Sequence, residues 1–230
     1  MKNTLLVVIT TIVVLVSGCK KEEKSPAAST LPSAVEVTPK SFGREAQKDL
    51  LELKRLAQEA KNNATAAKTQ TAYSQWASGV SRYKQVYGFY PNIGPTVASY
   101  DSTKDSVHKL EEGANVKFVK ALSGRQVTGE RLTPTERKDF NRNGEEFCSF
   151  GKDDFEDPAN LTPASRLVDG FGNSKIRIIV DTDNNSVIRN IKVSDLPEEI
   201  SAAATDGGIK ARVIIYSKGV NGAPDVVAIQ

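Results

Sequence analysis

Few side chains in this 230-residue chain are of the kinds that make and break bonds, and their spacing narrows the chemistry further. There is one histidine, His108, and there are two cysteines, Cys19 and Cys148. A zinc site or a Ser-His-Asp triad would have to be built on that single imidazole, which makes both poor assignments. Paired carboxylates occur at Glu111-Glu112 and Asp153-Asp154. Adjacent residues on a loop or helix do not face each other, so these read as solvated surface rather than an acid/base pair. The run Asp181-Thr-Asp183-Asn-Asn185 alternates oxygen ligands as a calcium loop does, but has no closing glutamate; an Asx-rich hairpin turn is the other reading. Cys148 lies among Phe147 and Phe150 and is expected to be a buried, inert thiol, while His108 is expected to be solvated. No catalytic constellation is legible, and the chain is expected not to be an enzyme.

Composition excludes other classes. Charged residues make up 26% and hydrophobic residues 39%, the balance of a globular domain. A formal charge of +3, spread along the chain, gives no nucleic-acid footprint. Aromatic residues do not interleave with a basic run as a base-stacking platform requires.

The N-terminus reads as a leader. Lys2 supplies a positive start, and residues 5–16 form an apolar run, short of the ~20 residues that span a bilayer. The run ends in Leu15-Val-Ser-Gly-Cys19, which resembles the lipobox of bacterial lipoproteins. The resemblance implies cleavage before Cys19, a diacylglycerol on its sulfur and an acyl chain such as palmitate on its freed amine. Three acyl chains exceed what stable anchoring needs. Lys20 rather than Asp follows the cysteine, which in Gram-negative lipoproteins implies the outer membrane, with the domain facing the periplasm or the cell surface.

Residues 1–18 are thus expected to be a signal peptide, and 19–40 the lipidated cysteine with a flexible tether. The prolines and serines of 25–38 would reach roughly 20–25 Å as a coil. Thr38-Pro39 is a helix-start signal, and nothing but Gly79 interrupts helix formers from 44 to about 87. In 41–69, a helical stem, Ala46, Leu50, Leu53, Ala57, Ala60, Ala64 and Ala67 alternate by four and three, a heptad-like seam. Self-association through that seam is one reading; plain helix propensity is the other. Asn62-Asn63 is a place where the stem divides in the alternative of two helices. Past Thr71 the apolar stripe moves to Tyr73, Trp76, Val80, Tyr83 and Tyr87, which should pack on a sheet, with Tyr83 and Ile178 or Ile214 near Trp76.

Residues 70–230 read as an α+β globular domain, the long N-terminal helix packed on a small antiparallel sheet. A short helix is expected over 115–124 with a glycine stop, another from Pro134, an edge strand over 146–150 and a surface loop over 153–165. Strands are expected at 175–181, 187–193, 210–217 and 226–229, the first two joined by the polar turn 182–186.

Three motifs carry a second resemblance. They are Tyr83-Lys-Gln-Val-Tyr-Gly-Phe-Tyr-Pro91, Asp169-Gly-Phe-Gly-Asn173, and Ser217-Lys-Gly-Val-Asn-Gly-Ala-Pro-Asp225. Their order is similar to that in the globular domain of type II secretion major pseudopilins. The resemblance implies a pilin-like fold and a calcium ion in the loop before the last strand, which here would fall to Ser217, Asn221 and Asp225. Ala223 and Pro224 stand where the family is acidic. The leader departs from the family too, since Gly18 is followed by Cys19 and then charge, not by a long apolar helix.

The expectation is a lipid-anchored, non-enzymatic envelope protein presenting a pilin-like domain to protein partners, as an accessory to a type II secretion or pilus-like system. The alternative is a periplasmic ligand-binding or hydrolytic lipoprotein on an unrelated α+β fold.

Overall fold

Helix-forming residues continue without proline from 44 to 87, and the whole stretch is one helix, α1 (Arg44–Tyr87), about 65 Å long at 1.5 Å per residue. The structure, a computed structural model, describes residues 44–91, 105–111, 113–189, 196–204 and 207–230. The leader, Cys19 and the tether lie outside these. Asn62-Asn63 does not divide the helix: asparagine costs an interior turn only tenths of a kcal/mol, and Gln58 Nε2 donates to Asn62 Oδ1 at 2.9 Å. The end is where the glycine and proline place it. Gly88 takes φ 79° and donates to the Lys84 carbonyl at 2.8 Å.

After α1 come β1 (Ser106–Lys109), α2 (Gly113–Ser123), α3 (Pro134–Phe140), β2 (Ile176–Val180), α4 (Glu198–Ala203), β3 (Val213–Ser217) and β4 (Val226–Ile229). The four strands form one antiparallel sheet in the order β1-β2-β3-β4. In register, Ile178 lies between His108 on β1 and Ile215 on β3. Both central strands are buried at every position, which is why Ile-Arg-Ile-Ile-Val and Val-Ile-Ile-Tyr-Ser are apolar almost throughout.

Each face has its own core. Ile176, Ile178, Val180, Val213 and Ile215 turn toward α1 and α2. Ile179, Ile214 and Tyr216 turn the other way, onto Ile188, Ile200 and Ile209. Trp76 is buried as its place in the stripe requires, its ring meeting Tyr73 (5.3 Å between centroids), Phe150 (5.4 Å) and, edge-on, Phe118 (6.2 Å). Tyr83 and Ile178 share that core, but Ile214 does not, because the two-residue period puts it on the opposite face. Gly79 has a packing reason: a Cβ there would stand 2.9 Å from the Cys148 Cβ, so the segment 147–148 crosses α1 where a side chain is missing.

Several expectations change. The 146–150 segment is not a strand; the N–H groups of Phe147 and Cys148 both donate to the Leu122 carbonyl at the end of α2 (2.8 and 3.1 Å). That carbonyl lies in the last turn of the helix, where no intrahelical donor reaches it. The 187–193 strand is reduced, in its described part, to a bridge between Ile188 and Ile209, and residues 190–193 lie outside the described ones. The sheet edge beside β2 is taken instead by β1, whose Ser-Val-His-Lys has too little apolar signal to be read as a strand. Helix α3 starts where expected, on a capping box in which Thr133 Oγ1 accepts from Glu136 N and Glu136 accepts from Thr133 N.

Candidate functional site

The turn Asp169–Asn173 is the polar centre of the domain. Asp169 Oδ1 accepts from the N–H groups of Phe171 and Asn173, both at 2.9 Å, and Oδ2 accepts from the Ser217 hydroxyl at 2.7 Å. Asn173 completes the lock, its Nδ2 donating to the Lys218 carbonyl and its Oδ1 accepting from Lys175 N. Thr69 on α1 accepts from Gly170 N at 3.0 Å, an approach so close that a Cβ on Gly170 would meet that oxygen at 2.5 Å. Asp169 thus ties the run into β2 to the end of β3, and Gly170 beside it ties the same turn to the middle of α1. Over it opens a cleft of about 380 Å³ lined by Thr65, Tyr73, Trp76, Asp154 and Asp169 among others. Burial pushes the Tyr73 phenol up, a trend Ser217 opposes and the Asp169 and Asp154 carboxylates reinforce. Burial also raises the Asp154 carboxyl, against the Gly151 N–H that it accepts at 2.7 Å.

A second polar cluster lies beyond β2. One carboxylate oxygen from each of Asp105, Asp181 and Asp183 falls within 4.8 Å of the others. Asp105 bridges two segments, accepting from Thr182 N (3.0 Å) and Arg189 N (2.5 Å), while Asp181 accepts from Asn185 N and Ser186 N. Burial raises the Asp105 carboxyl, and the neighbouring Asp183 and Asp181 charges add to that. Beside it a cleft of about 320 Å³ holds Lys84, whose ammonium sits 3.9 Å from the Tyr90 ring centroid and also bonds Asn184 Oδ1. Of the two readings of 181–185, the hydrogen bonds are those of an Asx turn: Asp183 and Asn185 each accept a backbone N–H two residues on. Asp105, the third carboxylate, is far away in sequence, and no local pattern announces it.

The calcium set implied by the pseudopilin resemblance has other employment. Ser217 Oγ is buried against Asp169, and Asp225 Oδ1 accepts from Gly219 N at 2.8 Å, closing its own loop. Asn221 sits at φ 54° in the turn between them. A hard cation wants six to eight oxygens; here two of the three side chains already serve the fold. His108 is not solvated but half-buried in β1, opposite Ile178. Cys148 is buried, and burial pushes its thiol up to about 12, which leaves it protonated and a poor nucleophile. The Asp153 and Asp154 side chains part company, Asp153 pairing with Lys68 at 3.0 Å, and Glu111 pairs instead with Arg177 at 2.5 Å.

The remaining feature is a surface. Residues 47–61 of α1 are exposed at every position, and from residue 46 onward Thr69 is the first fully buried side chain along the helix. Leu50, Leu51, Leu53 and Leu56 stand 47–66% exposed within two turns, half of the large apolar side chains left open among the described residues. Comparison with family models, curated proteins and solved structures finds no match. Among the described residues no helix is long and apolar enough to cross a membrane.

Proposed function

We propose that this chain is a lipid-anchored, non-enzymatic envelope protein that carries a pilin-like head on a helical stem for contacts with other proteins, as an accessory to a type II secretion or pilus-like system. The observation that carries the proposal is the division of α1, buried against the sheet from Thr69 onward but exposed throughout 47–61. A helix that served only to build the domain would end where its burial ends. Instead, four to five turns continue toward the segment that bears Cys19.

The three motifs that resemble those of major pseudopilins support the pilin-like part. One ends α1 at Gly88, one is the Asp169 turn running into β2, and one is the loop between β3 and β4. The lipid part is supported by Leu15-Val-Ser-Gly-Cys19 and by Lys20, which favours the outer membrane.

The test is acyl labelling with membrane fractionation. The wild-type chain should incorporate labelled palmitate and sediment with the outer membrane. Cys19→Ala should do neither and should accumulate as uncut precursor. Palmitate incorporation by Cys19→Ala would overturn the anchor.

A further inference from the structure

We propose that the exposed side of the stem is a docking surface for a second copy of this chain, aligned in parallel and in register through Leu50, Leu53 and Ala57. The proposal deepens the stem-and-head reading and rests on it, but does not depend on the lipid.

The first support is position. Leu50, Leu53, Ala57, Ala60, Ala64 and Ala67 are all exposed and repeat by three and four, so they form one apolar strip with a 3.5-residue period. At 100° per residue this strip lies roughly 160° around the helix from the stripe of Tyr73, Trp76 and Val80 that grips the sheet. The sheet is therefore on the far side of α1 from the strip, and the head reaches the line of the strip only past its end, where Ser78 donates to Gln230 Oε1 and Arg82 to the Phe147 carbonyl. The strip turns polar at Thr71, Gln75 and Ser78, so the seam stops where the helix begins to serve the head. Elsewhere on the stem, Arg55 bridges Glu52 (2.7 Å) and Glu59 (3.1 Å) on the side of the helix opposite the strip, where all three side chains stay in water.

The second support is charge, which selects the occupant and its direction. With Leu50 and Ala57 at a positions and Leu53 at d, the flanking e positions hold Lys54 and Lys61, and the flanking g positions hold Asp49 and Leu56. In a parallel pair each g side chain meets the partner's e side chain five residues on. Asp49 then meets the partner's Lys54, and Leu56 lies along the aliphatic stem of the partner's Lys61. In an antiparallel pair the e positions face each other, which sets Lys54 against the partner's Lys61, a like-charge contact. Self-complementarity of this kind is what a second copy offers and an arbitrary apolar partner does not.

Cysteine scanning of the full-length chain in its native membrane tests the inference. Single substitutions Leu50→Cys, Ala57→Cys, Ala64→Cys and, as control, Arg55→Cys are oxidised in situ. Cys148 should stay silent because its thiol is buried and pushed up to about 12, and the unsubstituted chain checks this. A parallel in-register pair brings each seam residue against its own copy, so all three seam cysteines should give a covalent dimer while Arg55→Cys gives little. Adding Leu53→Lys to Ala64→Cys should remove most of that dimer; Leu53 is 63% exposed, so the thermal midpoint should not move. Cross-linking at one seam position alone would indicate an antiparallel pair and overturn the proposal. So would equal cross-linking at Arg55, the mark of random collision, or no cross-link at all. Palmitate labelling of the same cells separates the two readings: a labelled chain that does not cross-link sinks the docking alone, and an unlabelled chain that does cross-link sinks the anchor alone.

Discussion

Removing the Asp169 carboxylate should be among the most damaging single changes available in this domain. Asp169 is buried and accepts three hydrogen bonds, two from backbone N–H groups and one from a hydroxyl. Asp169→Ala would strand the Asn173 N–H and the Ser217 hydroxyl, both on buried residues, and the half-buried Phe171 N–H. A buried donor left without a partner costs about 1–3 kcal/mol. Water entering the cleft above the turn can serve Phe171, so two stranded donors should decide the loss, about 3–5 kcal/mol in all. Asp169→Asn keeps Oδ1 for both N–H groups, and Ser217 can rotate to accept from the new amide; that change should cost only about 1 kcal/mol. Ser217→Ala leaves one carboxylate oxygen bare and should fall between the two. Because Asp169 and Ser217 share one hydrogen bond, the double variant Asp169→Ala/Ser217→Ala should lose about 1–2 kcal/mol less than the sum of the singles. Urea unfolding followed by the fluorescence of Trp76, the one tryptophan, measures all four. If Asp169→Asn proved as costly as Asp169→Ala, charge rather than the acceptor geometry would be holding the turn, and the reasoning would fail.

Trp76→Ala should cost about 3–5 kcal/mol and lower the thermal midpoint by on the order of 10 °C, since the ring is buried among Tyr73, Phe118 and Phe150; an unchanged midpoint would mean that α1 does not depend on that contact. Glu136 is held at about 2 by the Lys120 ammonium, then by Thr133 N–H, the Gln126 amide and the Thr133 hydroxyl. A depressed carboxyl pKa stabilises the fold above the unfolded value, about 4.3–4.5, and that stabilisation is lost as pH falls toward 2. Glu136→Gln should therefore trail the wild type by about 1–2 kcal/mol at pH 6, a figure reduced for its partial exposure, with the gap closing between about pH 4.5 and 2. A gap that stays constant across that range would refute the assignment.

Periodic features of the fold were legible in the residues, and features set by distant partners were not. The aromatic stripe from Tyr73 to Tyr87, the apolar runs of β2, β3 and β4, and the Thr133-Pro134 start of α3 each declare themselves within a few residues. Strand β1 did not, because Ser106–Lys109 is a strand by virtue of the open edge of β2 rather than its own propensity. The 146–150 segment alternates like a strand, yet the carbonyl at the end of α2 captured its N–H groups first. The same limit applies to the polar sites. The Asx turn at 181–185 can be read locally, but Asp105 joins it only through the sheet. The resemblance places Ser217 in a metal loop by sequence position, whereas its partner, Asp169, lies 48 residues earlier in the turn before β2.

This bears on what the motif resemblance can mean. Asp169-Gly-Phe-Gly-Asn173 and the loop from Ser217 to Asp225 are joined through two hydrogen bonds, Ser217 to Asp169 and Asn173 to the Lys218 carbonyl, and both brace the same sheet. Residues that brace a sheet answer to the geometry of that sheet, whatever the protein binds. The two motifs thus bear on architecture, and leave the choice of partner to surfaces the architecture does not constrain. Among the described residues the densest group of exposed large apolar side chains is on the stem, where Leu50, Leu53 and Leu56 are 47–63% exposed. Exposed leucines at helical spacing add nothing to the fold and raise the risk of aggregation. A function that uses them is the more economical account, and on this chain the place to look for it is α1 before Thr69, not the clefts around the sheet.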